Sequence, residues 1–228
     1  MSQVKKVLIV VTSHEQLGNT DKKTGYWLGE VSHFCDVIVA AGFEVDFVSP
    51  QGGKPPMDAK SSNKSDQINQ KFLQNDKLLS QLEQSFSPDQ VNPEAYDAIY
   101  YAGGHGTMWD FADNVPLAQI AAAMYENDKI VAAVCHGPTG LLNIKLSNGQ
   151  YLLAGKQVTG FSNLEESLVR LTSAMPFLLE DELKHRGATY KKTLPFIPHV
   201  EVSERLVTGQ NPQSTKALAK AVVKLLQA

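Results

Sequence analysis

The sequence predicts an α/β protein with a doubly wound parallel sheet between two layers of helices. Short apolar runs recur along the chain and alternate with segments of helical periodicity, the element order of such a sheet. Two of the runs end in glycine-containing turns, at the strand ends where open α/β sheets bind ligands. The runs cover residues 7–11, 45–48, 98–102, 130–134 and 206–208.

The first half of the chain supplies two of these strands and one helix. Residues 7–11 are continuously apolar, as expected for a strand covered on both faces. Apolar residues at helical spacing predict a helix over 28–41, with Gly42 placed to end it. Residues 45–48 form the next strand, closed by Ser49-Pro50.

Residues 51–96 form a polar insert rich in Ser, Asn, Asp, Gln and Lys. Five apolar residues within it fit one face of a helix, so the insert is expected to pack on the sheet as part of a single domain over 1–228. They are Phe72, Leu73, Leu78, Leu79 and Leu82.

After the insert, strands and helices alternate again. The sequence predicts a strand over 98–102, a helix over 117–125, a strand over 130–134, a small β excursion within 151–159, a last strand over 206–208 and a helix after Asn211-Pro212.

Composition excludes several classes of protein. Apolar residues make up 43% and charged residues 20% of the 228, which is ordinary for a globular chain. A net charge of −3 with no Lys/Arg block gives no reason to expect nucleic acid, and no apolar run has the ~18 residues of a membrane span. Two cysteines fit a reducing compartment, so we expect a cytoplasmic protein.

Cys135 is the candidate nucleophile. It ends a buried strand within Ala133-x-Cys135-x-Gly137, and small residues two before and two after let the backbone turn sharply and expose the side chain. Pro138 suits the first turn of a following helix, whose N-terminus, with His136 nearby, is expected to lower the pKa of the thiol. A cysteine without these neighbours would more often be a buried core residue, which is what we expect for Cys35.

The glycine-rich turn after the preceding strand, Gly103-Gly104-His105-Gly106, completes this candidate site. Backbone N–H groups of Gly104 and His136 are placed to stabilise an oxyanion. His105 has two interpretations, a pocket residue or a cap of the turn. The histidines show no spacing typical of metal ligation, and no metal is expected.

Several strings give the chain a family resemblance: T-G-Y-W-L-G-E, A-G-G-H-G-T, V-C-H-G-P-T-G-L-L, V-T-G-F-S-N-L-E-E and L-V-T-G-Q-N-P. With them the chain resembles the ThiJ/PfpI superfamily, of flavodoxin-like, class I glutamine amidotransferase-like fold, and within it the chaperone-like glyoxalase III branch. The resemblance implies a catalytic Cys135, a neighbouring His136, the first-helix acid Glu30 facing the sulfur, and Glu166 orienting the histidine, with Glu165 as the alternative.

The resemblance also implies a glutathione-independent glyoxalase (a D-lactate dehydratase) that converts methylglyoxal to lactate without a cofactor, acts as a homodimer, and has possible deglycase or chaperone activity. If Glu30 is ionised, its charge opposes thiolate formation. Three alternatives stay open: a cysteine peptidase or amidase, a glutamine amidotransferase subunit using His199 and Glu201, and a non-enzymatic holdase or oxidation sensor.

Overall fold

A computed structural model describes residues 4–228, and its main sheet has six strands in the order β2-β1-β3-β4-β8-β7. Five strands are parallel, and the edge strand β7 is antiparallel to β8. The strands are β1 (Lys6–Val10), β2 (Glu44–Val48), β3 (Ala98–Tyr101), β4 (Ile130–Val134), β7 (Val200–Ser203) and β8 (Leu206–Gly209). The predicted α/β class is confirmed.

Helices cover both faces of this sheet, and a two-stranded sheet lies beside it. The helices are α1 (Leu28–Ala40), α2 (Gln67–Leu73), α3 (Asp76–Glu83), α4 (Thr107–Asp110), α5 (Val115–Glu126), α6 (Asn163–Leu168), α7 (Leu179–His185) and α8 (Thr215–Gln227). The small parallel sheet pairs β5 (Gln157–Val158) with β6 (Thr189–Tyr190). Among residues 4–228, no helix is both long enough and apolar enough to cross a membrane.

Alternation along the strands explains why the apolar runs are continuous. In β1, Leu8 and Val10 enter the core that packs against α5, whereas Val7 and Ile9 enter the core beneath α1 and α8. Successive side chains of a strand point to opposite faces, so a strand covered twice needs apolar residues at every position. The predicted strand and helix bounds agree with these elements to within one or two residues.

Two expectations are wrong in detail, and one strand was missed. The apolar face of the insert is split between α2 and α3, because the Asn75 side chain accepts the Leu78 N–H and caps a new helix. The β excursion is reduced to Gln157–Val158, which pairs with Thr189–Tyr190. The edge strand Val200–Ser203, which pairs with β8, was not predicted.

Candidate active site

Cys135 occupies the sharp turn that its sequence context predicts. It directly follows β4 and has φ of 57°, a left-handed conformation that is strained for a residue with a side chain. Its N–H donates to the Gly209 carbonyl at 2.9 Å, and its carbonyl accepts the Phe161 N–H at 2.8 Å. A Cβ at Gly137 would lie 2.2 Å from the Tyr101 carbonyl oxygen, so only glycine lets the turn approach β3.

The expectations of an exposed, acidic thiol are both wrong for this structure. Cys135 is only 4% exposed, and the segment that follows is a five-residue 3₁₀ turn, Gly137–Leu141, not an α-helix. Burial raises the pKa of the thiol, and negative charge on Glu30 would raise it further, while the His136 N–H acts in the opposite direction. The resting group at neutral pH is therefore the thiol.

Glu30 reaches the sulfur from the first turn of α1. Its side chain is fully buried, and Oε2 accepts the Gly103 N–H at 2.6 Å. Burial raises the pKa of this carboxyl to about 8, against the opposing hydrogen bonds of Gly103 and Cys135. At neutral pH the carboxyl is thus mostly protonated beside the thiol, and the two groups together avoid a buried pair of negative charges.

Two histidines share the carboxylate of Glu166. His136 Nε2 lies 2.7 Å from Oε2, and His105 Nε2 lies 3.1 Å from Oε1. Burial lowers the pKa of His136, and the neighbouring His105 lowers it further. Burial acts to raise the pKa of Glu166, but His136 and His105 prevail and hold it well below its ordinary value. The result is a neutral His136 whose Nε2–H donates to a carboxylate.

That arrangement directs the other nitrogen of His136 at the nucleophile. With the proton on Nε2, Nδ1 is the acceptor, and it lies 3.3 Å from the Cys135 sulfur. His136 can therefore take the thiol proton as the sulfur attacks a carbonyl carbon. Geometry brings Cys135, His136, Glu166 and Glu30 together, and their catalytic roles stay predictions.

Glu165 has a different environment from its neighbour. It is fully buried and accepts hydrogen bonds from three parts of the chain, none of them to Cys135 or to a histidine. The donors are the N–H and Oγ–H of Ser162, the N–H of Phe196, and the side-chain amides of Gln210 and Asn211. Of the two carboxylates considered for the histidine partner, the structure therefore places Glu166 in that position.

The first two glycines of the turn after β3, Gly103 and Gly104, are needed for close packing at the site. A Cβ at Gly103 would lie 2.7 Å from the Glu30 carboxylate and 2.9 Å from the His136 nitrogen. Gly104 has φ of 107°, and a Cβ there would lie 2.2 Å from the Gly25 carbonyl oxygen. The His136 N–H favours negative charge on the sulfur, as an oxyanion donor would. The matching role of Gly104 stays a prediction.

The side chain of His105 lies against His136 and Glu166, and its role as a pocket residue stays a prediction. Its ring lies 4.2 Å from that of His136, between centroids, in addition to its contact with Glu166. Within residues 4–228, His105, His136 and Glu166 are also the one group whose donor atoms lie close enough together, within 4.8 Å, to hold a metal ion. The hydrogen bonds of the two histidines to Glu166 already explain why these atoms lie so close together.

His199, the histidine of the amidotransferase alternative, has its own partners. Its Nε2 lies 2.9 Å from Oε1 of Glu201, and its N–H donates to Ser214 Oγ. His199 thus lies immediately before the edge strand, and within residues 4–228 it makes no hydrogen bond to the Cys135 thiol.

Sequence reasoning missed Phe161 as a site residue. Its ring lies 4.5 Å from the His136 ring between centroids, and its N–H fixes the Cys135 carbonyl. The V-T-G-F-S-N string contained it, but an aromatic residue beside a helix start gives no signal of such a contact. The five hydrogen bonds accepted by Glu165 could not be predicted from the sequence either, because their donors are scattered over residues 162–211.

The fold and site define an α/β protein with a buried cysteine on a strained turn, a histidine–carboxylate pair and a buried acid whose pKa is raised. The DJ-1/PfpI family model matches residues 25–225, and the chain belongs to that family. It is 35% identical over 231 residues to the glutathione-independent glyoxalase HSP31 of Saccharomyces cerevisiae, covering 94% of this chain and 95% of the relative.

Two solved structures are similar over nearly the whole chain. The Rapid Encystment Protein of 24 kDa from Francisella tularensis superposes with a TM-score of 0.94 at 42% identity, covering 98% of this chain and 99% of that one. Glyoxalase III from Candida albicans superposes with a TM-score of 0.91 at 28% identity, covering 97% of each chain. The resemblance drawn from the sequence is confirmed.

Proposed function

We propose that this protein is a glutathione-independent glyoxalase that converts methylglyoxal and water to lactate. One observation carries the proposal: a buried thiol lies between a neutral imidazole nitrogen, 3.3 Å away, and a carboxyl whose pKa is raised to about 8. The first group serves thiol addition and the second serves proton transfer at carbon. Relatives named glyoxalase over nearly the full chain support it.

Addition starts the reaction. The Cys135 sulfur forms a bond to the aldehyde carbon while its proton passes to His136 Nδ1, and the carbonyl π bond opens to an oxyanion. The His136 N–H stabilises that oxyanion, and the protonated Glu30 then delivers its proton to give a hemithioacetal. Glu30 is left as a carboxylate beside the C1–H bond.

Isomerisation moves hydrogen between the two carbons. The Glu30 carboxylate removes the proton from C1, and the C–H electron pair forms the double bond of an enediol as the ketone oxygen takes a proton from His136. Glu30 returns its proton to C2, and His136 takes back the proton of the C1 hydroxyl. The product is a lactoyl thioester on Cys135. A group with pKa about 8 is suited to both directions of transfer near neutral pH.

Hydrolysis regenerates the thiol. Water adds to the thioester carbon as Glu30 takes one of its protons, the C–S bond breaks, and the sulfur takes the proton held on His136. The lactic acid that leaves ionises to lactate in solvent. Glu166, ionised between two histidines, orients His136 throughout and holds its proton on Nε2. Every step uses this chain's own residues.

Burial argues for a small substrate and against the peptidase alternative. Cys135 is 4% exposed and Glu30 is not exposed at all, which leaves no open groove for a polypeptide at the sulfur. We also propose a cytoplasmic homodimer, as the reduced cysteines and the family resemblance imply. Deglycase activity would use the same residues.

The test is turnover without glutathione. Purified protein is incubated with methylglyoxal in glutathione-free buffer, lactate is assayed, and quenched samples are examined by mass spectrometry for an adduct on Cys135. We expect lactate in many-fold excess over protein together with a Cys135 adduct. Cleavage of fluorogenic peptides without lactate formation would replace the proposal with the peptidase alternative.

A further inference from the structure

Two phenylalanines connect the site with the loop over residues 193–197. Exposure increases from Phe161, at 5%, to Phe196, at 37%, whereas Glu30 is fully buried. The Phe161 ring packs on His136, and the Phe196 ring lies 6.4 Å from Phe161 between centroids. An aromatic path thus leads from the catalytic histidine to the surface.

Phe196 is held in this position against a backbone preference. Its φ of 60° is left-handed, which is rare and strained for an aromatic residue. The Glu165 carboxylate accepts its N–H at 2.8 Å, and the same carboxylate accepts the Asn211 amide, whose other contact is the Ile197 carbonyl. Gln210 accepts the Thr193 N–H, so the loop is fastened at three points.

The surface around Phe196 is apolar. Four large hydrophobic side chains are exposed to solvent on this loop and on α6, and exposed apolar patches commonly mark binding surfaces. They are Leu164 at 51%, Leu168 at 54%, Leu194 at 72% and Ile197 at 50% exposure. A substituent leaving the site in this direction meets aromatic and aliphatic groups.

We propose that Phe196, with Phe161 behind it, is a specificity-determining residue that selects 2-oxoaldehydes with apolar or aromatic substituents. This inference rests on the proposed function. In the proposed adduct, C1 presents its hydrogen to Glu30 and its oxygen to the His136 N–H. We place the substituent on C2 on the remaining side, toward the two phenylalanines. Phenylglyoxal and water would give mandelate by the same steps.

The experiment compares kcat/KM for phenylglyoxal and methylglyoxal from initial rates of mandelate and lactate formation. Phe196→Gly removes the ring and suits the left-handed backbone, Phe196→Tyr keeps the ring, and Val115→Ala removes an exposed apolar side chain from α5, outside this surface. We expect Phe196→Gly to lower the phenylglyoxal-to-methylglyoxal ratio about 2- to 10-fold, the range of an aromatic contact. The other two variants should keep the parent ratio.

An unchanged ratio in Phe196→Gly, or an equal loss for both substrates, would overturn the specificity role. A parent that makes neither product refutes the proposed function, and the inference is then judged by alkylation. The rate of Cys135 labelling is then measured by intact-mass spectrometry with iodoacetanilide, which carries a phenyl ring, and with iodoacetamide, which does not. The ratio of the two rates reports the preference for an aromatic group without turnover. A preference for iodoacetanilide that falls in Phe196→Gly supports the role, and one that does not fall contradicts it.

Discussion

Replacing Glu30 with glutamine separates the two halves of the proposed chemistry. An amide oxygen can still accept the Gly103 N–H, now 2.6 Å from Oε2, so the variant should fold. The thiol should still add to methylglyoxal, because the proton held on His136 can pass to the oxyanion in place of the one from Glu30. The isomerisation should stop, because an amide cannot take a proton from carbon. Loss of a general base typically lowers the rate about 10²- to 10⁴-fold, and we expect kcat to fall by that factor.

The same change has a pH-dependent effect on stability. The carboxyl holds its proton to about pH 8 in the folded protein but only to 4.5 when unfolded, so the parent loses stability as the pH rises through that window. Because glutamine cannot ionise, Glu30→Gln should gain stability over the parent between these values. The rise from 4.5 to about 8 corresponds to about 5 kcal/mol at pH 8 and above, and to nothing below pH 4.5.

Two assays check this prediction. Lactate formation and the mass-spectrometric Cys135 adduct measure chemistry, and urea unfolding at pH 5 and pH 8 measures stability, with the exposed Glu94→Gln as the control. Glu30→Gln should accumulate adduct, form little lactate, and show a larger stability gain at pH 8 than at pH 5. Lactate at the parent rate would refute the proton-transfer role, and a stability difference independent of pH would refute the raised pKa.

Three further predictions follow from the packing of the site. Gly103→Ala should lower kcat at least tenfold, because a Cβ there would lie 2.7 Å from the Glu30 carboxylate. The control Gly29→Ala, whose Cβ would have its nearest contact at 3.8 Å, should keep activity and raise the free energy of unfolding by up to about 1 kcal/mol. Equal kinetics for the two variants would contradict this prediction. Glu165→Gln should lower the free energy of unfolding by about 2–3 kcal/mol, because it places an amide group opposite buried donors. Glu166→Gln should lower kcat, but by less than Glu30→Gln does. Urea unfolding and lactate assays check both, and a larger loss of kcat in Glu166→Gln than in Glu30→Gln would contradict the assigned roles. Iodoacetamide labelling of Cys135 should still accelerate above pH 9, since burial raises the thiol pKa, and a plateau below pH 8 would count against that.

The sheet was predictable because each of its parallel strands is covered on both faces. Such strands leave continuous apolar runs, and β4 was predicted with its observed bounds, Ile130–Val134. The antiparallel edge strand Val200–Ser203 left no such run, since it is only partly buried and carries Glu201 and Ser203. A strand at an edge needs fewer apolar residues, so its sequence resembles a loop.

The turn at Cys135 was predictable for a local reason, and the electrostatics around it were not. Spacing of small residues around the cysteine is a feature of the chain itself, and it correctly indicated strained backbone. The pKa of the thiol depends on how completely distant segments bury it, and on a carboxyl 105 positions earlier in the chain, Glu30. Those contacts appear only when the fold is assembled, which is why the expected acidic thiol was wrong.

The most direct measurement of the central claim is lactate formed per protein chain in glutathione-free buffer by the parent and by Cys135→Ala. Cys35→Ala is the matched control, because Cys35 is the other buried cysteine and lies on α1 rather than on the turn after β4. The account predicts many lactate molecules per chain from the parent and from Cys35→Ala, and none above the protein-free rate from Cys135→Ala. Lactate from Cys135→Ala at the parent rate would contradict it.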